Sequence, residues 1–307
     1  MTSSPMKSSP KVVGVIGPKG GVGKSTISAN LAVALTRAGA RVVAMDLDLG
    51  SANLHVIFGI KSVPHTLDDF LLNRVPSLAE VVCETSVPGL SLIGGGNVPG
   101  IASLPYQRKV KLLRHLGRLD CDYLLLDLAA GVSYNVVDFA LIANRSLFVT
   151  TPDIPSLMSL YSFIKTAVYR QLYLLFRQAG SDELLALLEK SKNFEENPDL
   201  KTMEDFYVQA RLIDPRITRQ AEKSLARLDP LILVNRVKAG ADLNSGKVIK
   251  NLMGQFLNLH KGEILSIRED AAVTSAAARM KPVMLTDPSS AFAMDMIKIA
   301  RFLGAGA

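Results

Sequence analysis

Apolar and polar positions follow two rhythms along this chain. Short, nearly continuous apolar runs at residues 12–17, 41–46, 90–94, 123–127, 146–150, 231–235 and 263–267 predict strands. Several are apolar throughout rather than at every second position, which suits strands buried on both faces. Between the runs, apolar residues recur every three or four positions. Ile27, Leu31, Leu35 and Ala38 predict a helix, and Gly39 directly after them stops it. Further helices are predicted around 105–119 and over 290–303. In the second of these, Phe292, Met296, Ile299 and Leu303 read as core-facing rather than lipid-facing. Strands alternating with helices predict an α/β fold, a mostly parallel sheet covered by helices on both faces.

One stretch breaks the alternation. From about 155 to 229 the chain reads as consecutive helices with no strand. Leu157, Leu160, Tyr161, Ile164, Val168, Leu172 and Leu175 stripe the first of them, and Tyr169, Tyr173 and Phe176 form a second line beside the stripe. The polar, acidic residues 193–199 mark a break. The organisation predicted is a single domain over 11–307 carrying a helical insertion at about 177–229. The Ser/Pro-rich residues 1–10 lack the apolar core of a signal peptide and read as a disordered tail.

Composition narrows the class. With 307 residues, 48% of them hydrophobic, the chain can bury a large sheet, and no apolar run approaches the ~18 residues of a membrane span. Its two cysteines, Cys83 and Cys121, lie far apart and predict reduced thiols in a cytoplasmic protein. The net charge of +7 is modest, but its cations concentrate in two places. Arg108, Lys109, Lys111, Arg114 and Arg118 share one predicted helix; Arg211, Arg216, Arg219, Lys223 and Arg227 form the other group, diluted by Asp214 and Glu222. Solvated helix faces are the plain reading, and contact with an acidic surface is the sharper one.

The chemistry starts at Lys19-Gly20-Gly21-Val22-Gly23-Lys24-Ser25-Thr26, between the first strand and the first helix. Three glycines let the backbone turn tightly and aim its N–H groups at an anion, and the helix adds its positive end. Strand, glycine loop, lysine, hydroxyl and helix form a phosphate-binding loop. Lys24 would reach the β/γ-phosphates, Ser25 would ligate Mg²⁺, and Thr26 would bond the α-phosphate. The strict pattern is not met, because Pro18 stands where its first glycine belongs. Asp46 and Asp48 end the second strand two residues apart, so they project from one face. Asp127 closes the apolar run Tyr123-Leu124-Leu125-Leu126. Three carboxylates at strand ends, on the phosphate-holding edge, predict a cluster that handles Mg²⁺ and positions water.

Together these motifs resemble the MinD/ParA ATPases of the SIMIBI class of P-loop proteins, nearest the MinD and FlhG/FleN-like subgroup. The deviant loop K-G-G-x-G-K-[ST] is the form that family carries. Asp46-Leu47-Asp48-Leu49-Gly50-Ser51-Ala52-Asn53-Leu54 is similar to its D-x-D-x-G-x-x-N-L motif, and Asp127-Leu128-Ala129-Ala130-Gly131 to its D-x-x-x-G segment. Residues 268–273 and Pro282-Val283 resemble later segments of MinD. The match covers most of 11–153 and 230–303.

The resemblance implies an ATP-binding, Mg²⁺-dependent ATPase that forms an ATP-dependent homodimer and is stimulated by a protein partner. It implies that Lys19 crosses to the nucleotide of the other subunit and that Asp48 orients the attacking water, with Asn53 helping to place it. It implies that Asp46 and Asp127 hold the waters of Mg²⁺, that Gly131 faces the γ-phosphate, and that Asn235 and Arg236 lie near adenine. Lys238 breaks the N-K-x-D pattern of GTPases, which favours ATP.

Such a switch would position or count a cellular structure, a flagellum or a division site, and would be recruited to a pole or membrane through a partner. The last predicted helix belongs to the domain itself, so no C-terminal membrane-targeting helix is read from the sequence. Two alternatives stand beside this reading: a ParA-like ATPase that binds DNA non-specifically, and a nucleotide-sensing adaptor that docks a partner through its helical insertion. A metal-cluster carrier on the same fold would need a C-x-x-C pair, which Cys83 and Cys121 do not form.

Overall fold

The computed structural model describes residues 9–49, 51–96, 106–193, 195–238 and 244–304. Most of the predicted tail, with Gly50, Pro105 and Phe194, lies outside them. In chain order the elements are β1 (Lys11–Ile16), α1 (Lys24–Arg37), β2 (Val42–Leu47), α2 (Leu54–Ile57), α3 (Leu67–Leu71), β3 (Val82–Glu84), β4 (Leu90–Ile93), α4 (Tyr106–Leu116) and β5 (Tyr123–Leu128). They continue with α5 (Tyr134–Ile142), β6 (Arg145–Thr150), α6 (Ile154–Ala179), α7 (Asp182–Lys190), α8 (Met203–Ile213) and α9 (Pro215–Leu225). The chain then forms β7 (Leu231–Val237), α10 (Ser245–Leu257), β8 (Glu263–Arg268), α11 (Ala271–Ala278), α12 (Val283–Thr286) and α13 (Ala291–Phe302). These gather into two compact units. The first holds residues up to 16, 23–130 and 267 onward; the second holds 17–22 and 131–266.

In the first unit the strand order is β3-β4-β2-β5-β1. Neighbours pair in parallel except β3, which runs antiparallel to β4 at the edge. Every residue of β2 and of β5 is buried, so helices cover both faces of these central strands. The helix α1 is buried nearly all round, with Ile27, Leu31, Val33 and Leu35 inaccessible to solvent. It packs against α13, whose Phe292, Met296 and Ile299 are buried as the periodicity predicts.

Strand bounds shift by one or two residues from the sequence reading; the strand predicted at 12–17, for one, runs over Lys11–Ile16. The strand predicted at 41–46 runs one residue later, because the N–H of Arg41 is taken by the Asp122 carboxylate at 2.7 Å while Leu47 pairs with Leu128. The edge strand β3 is absent from the sequence reading. Its three residues, Val-Cys-Glu, are at best half-buried and offer no apolar run.

In the second unit β6 and β7 pair in parallel, and β8 lies beside β7. Between β6 and β7 the described residues form helices and no strand. Asp153 caps α6 by accepting the N–H of Ser156, and Gly180 in the left-handed region ends it. Leu157, Leu160, Ile164, Val168 and Leu172 are buried along α6 as predicted; Leu175 is only half-buried. Of the second line, Phe176 is buried against Phe206 while Tyr169 and Tyr173 are half-buried.

The two cationic concentrations also part company. On α4, Lys109 is buried, and Lys111 donates to the backbone oxygen of Phe70 and to Asn73, so this helix presents no uniform basic face. On α8, Arg211 is paired with Glu204 and Glu222. Among the described residues no helix is long and apolar enough to cross a membrane.

Candidate nucleotide-binding site

In the first unit the register of neighbouring strands brings the carboxylates together. Asp46 on β2 lies directly opposite Asp127 on β5, a parallel pairing that sets both side chains on one face of strands spaced about 4.8 Å apart. Both are almost fully buried. Asp46 accepts the N–H groups of Asp48 at 3.0 Å, Asn53 at 2.9 Å and Leu54 at 2.9 Å, so it shapes the turn that leaves β2. Asp127 accepts from the Ser28 hydroxyl at 2.9 Å and also interacts with the hydroxyl of Ser25. Gly23 takes φ 99°, a left-handed value that glycine adopts without strain, and α1 starts at the next residue. Lys24, at the first position of α1, is only 8% exposed.

Burial raises the pKa of both aspartates well above the ordinary carboxylate range, and at Asp46 the adjacent Asp127 charge adds to the effect. Burial lowers that of Lys24 against the pull of Asp127 and Asp48. Asp48, half-buried, is raised by burial and held back by Lys24. A raised carboxylate keeps in the folded state a proton that the unfolded chain releases. Its contribution to stability is therefore lost as pH climbs from the ordinary carboxylate range toward neutrality. The nucleotide-free protein should melt at progressively lower temperature between about pH 5 and pH 7. Asp127→Asn should flatten that slope, since the Ser28 hydroxyl can turn to meet an amide. An unchanged slope in the variant, measured by thermal melts across this range, would place the titration elsewhere.

The donor set suits Mg²⁺: hydroxyl and carboxylate oxygens, with two like charges held side by side. Asp46 already spends its oxygens on three backbone N–H groups, which suits contact through water rather than direct ligation. Asn53 uses its side-chain amide on the oxygen of Ser51 at 2.7 Å. A cavity of about 220 Å³ lies beside Thr26 and Asn53, walled by Val273, Ala276 and Val283 from α11 and α12.

In the second unit three contacts hold carbonyls of the glycine loop. The Asn235 amide donates to Val22 at 2.8 Å, the Arg236 guanidinium to Gly21 at 3.0 Å, and the Gly131 N–H to Pro18 at 2.8 Å. Gly131 sits at φ 100° and Gly21 at φ 78°, while Arg236 takes φ 60°, uncommon for a residue with a side chain. Gly20 has open space around it.

Lys19 has a partner within its own subunit, a contact the sequence reading does not contain. Its ammonium donates to Asp153 at 3.0 Å, both side chains being nearly half exposed. Asp153 also accepts from Thr151 and Ser156, which together with Lys19 hold its carboxyl far below the usual range. Sequence reasoning missed Asp153, Ser28 and Asn30. Asn30 bridges from the Thr26 oxygen to the N–H of Met284. The helix-cap position of Asp153 was visible in the sequence; its pairing with a residue 134 positions away was not.

A glycine loop opening a buried helix, a buried lysine and paired strand-end carboxylates define a P-loop nucleotide-binding protein. Residues 13–283 match the model of the CobQ/CobB/MinD/ParA nucleotide binding domain, and the chain belongs to that family. It is 37% identical over 164 residues to the flagellum site-determining protein YlxH of Helicobacter pylori, a match covering 52% of this chain and 54% of the relative. To the septum site-determining protein MinD of the same organism it is 28% identical over 294 residues, covering 95% and 90%. Among solved structures, the septum site-determining protein MinD complexed with Mg-ADP from Pyrococcus horikoshii superposes with a TM-score of 0.62, at 19% identity and 96% coverage of both chains. That likeness is one of fold.

Proposed function

We propose that this chain is an ATP-dependent dimerisation switch that binds and slowly hydrolyses ATP with Mg²⁺ to position or count a cellular structure. The observation carrying this reading is the buried, in-register pair Asp46 and Asp127, in the unit that also buries Lys24 at the start of α1. Asp46 also holds three backbone N–H groups and Asp127 the Ser28 hydroxyl, but a second carboxylate set beside the first at the cost of raised pKa values points to a cation that both would face.

In this reading the backbone of Gly20, Gly21, Val22 and Gly23 surrounds the phosphates, Lys24 neutralises their β/γ oxygens, and Thr26 bonds the α-phosphate. Ser25 ligates Mg²⁺, while Asp46 and Asp127 hold its waters. Magnesium, when bound, supplies charge neutralisation for phosphoryl transfer. Asp48 orients the attacking water, helped by Asn53. Gly131 faces the γ-phosphate, and Asn235 and Arg236, which brace the loop in this structure, lie near the base. Lys19 acts across a dimer interface once it leaves Asp153. Names of relatives, flagellum site-determining and septum site-determining, support a role in placing a flagellum or a division site. An activating partner and recruitment to a pole or membrane through it belong to the same proposal, as does the reading of 11–307 as one ATPase domain whose segment 177–229 is an insertion.

The test is Asp48→Ala in size-exclusion chromatography with light scattering. With hydrolysis blocked and binding kept, ATP should convert the variant from monomer to dimer while ADP leaves it monomeric. A variant that stays monomeric in saturating ATP ends the dimerisation reading.

A further inference from the structure

The second cationic group has a structure of its own. Arg216, Arg219, Lys223 and Arg227 are all exposed and recur every three or four residues along α9 and its C-terminal turn. They form a stripe about 16 Å long opposite the buried Ile217, Ala221 and Leu225. None of the four side chains has an ion pair or hydrogen bond among the described residues. The nearby acids are spent: Asp214 caps α9 through the N–H groups of Arg216 and Ile217, and Glu222 pairs with Arg211. The stripe lines a cleft of about 660 Å³ whose apolar surface comes from Leu175 on α6 and Pro215. No carboxylate lines it.

Four like charges held in line without counter-ions repel modestly at each neighbouring pair, a cost that a polyanionic occupant would offset. Its shape follows from the cleft. A nucleic-acid backbone would leave Leu175 and Pro215 facing charge, with no aromatic ring lining the cleft to stack a base. A helix with carboxylates every three or four residues and an apolar flank matches both walls.

We propose that this cleft docks an acidic amphipathic segment of a protein partner. No residue of the cleft belongs to the nucleotide site, so the proposal stands or falls apart from the ATPase reading.

The probe is a fluorescein-labelled synthetic helix of Glu, Leu and Ala, with Glu on one face and Leu beside it, titrated with the full chain by anisotropy. Binding should appear at low salt and weaken about tenfold or more between low and physiological ionic strength. It should be lost in the combined variant Arg216→Gln, Arg219→Gln, Lys223→Gln, Arg227→Gln, and in a control peptide with Gln for Glu. Leu175→Ser should weaken it without altering its salt dependence, which separates a shaped groove from a diffuse charge sink. A thermal melt matching that of the wild type confirms the fold of the combined variant; the double variant Arg219→Gln, Lys223→Gln serves if the combined one does not fold. No binding, or equal binding by the charge variants, overturns the proposal. So does tighter, cation-dependent binding of duplex DNA or phosphatidylglycerol vesicles, which would reassign the cleft to nucleic acid or lipid.

Discussion

Lys24→Ala should weaken nucleotide binding severely. The ammonium sits at the first position of α1, buried, with the charges of Asp127 and Asp48 acting on it. Burial depresses its pKa, so the empty site holds the charge at a cost that phosphate oxygens would offset. Truncating one partner of such a desolvated pair costs about 2–5 kcal/mol, which corresponds to roughly 30-fold or more in affinity. Titration with a fluorescent ATP analogue measures it, alongside a thermal melt to verify folding. A folded variant that binds within a few fold of the wild type would remove the phosphate-loop reading altogether.

Lys19→Ala should behave differently. Nucleotide affinity should stay within a few fold, while ATP-dependent dimerisation is lost and hydrolysis falls by roughly 10³-fold, the scale of a cation supplied from outside the subunit. Lys19 and Asp153 form a half-exposed pair, worth at most about 1 kcal/mol, so losing it leaves the fold intact. The same pair makes a companion variant informative. Asp153→Asn keeps an oxygen to cap α6 but frees the ammonium, and should dimerise at equal or lower ATP concentration, by up to about fivefold. Light scattering across an ATP titration reads both. Loss of nucleotide binding by Lys19→Ala would make the lysine an ordinary ligand within its own subunit; normal dimerisation would dissociate it from the interface.

Most of the strands were legible because parallel strands buried on both faces read as unbroken apolar runs, which local composition reveals. The edge strand Val82–Glu84 was not, since a half-exposed strand three residues long leaves no such signature. The glycine loop was legible for a similar reason. Left-handed backbone at Gly21 and Gly23 demands a residue without a side chain, and the demand is written locally.

The partners of the loop were not legible. Asn235 and Arg236 reach carbonyls more than 200 residues away in the sequence, and no periodicity encodes such a contact. The basic residues show the limit most clearly. Counting cations ranked the α4 group with the α9 group, yet Lys109 turns inward and Lys111 caps backbone on α3, whereas the α9 stripe is free.

Residue order alone therefore determined the layered α/β class, the phosphate loop and the carboxylates at the strand ends. Each depends on neighbours within a turn or a strand: periodic burial, glycine at positive φ, aspartate where an apolar run stops. Tertiary structure alone decided that Asp46 stands in register with Asp127, that Lys19 is held by Asp153, and which cations face solvent. These depend on pairing register and packing between distant segments, and a pairing energy exists only once the chain has closed the loops that bring its partners together.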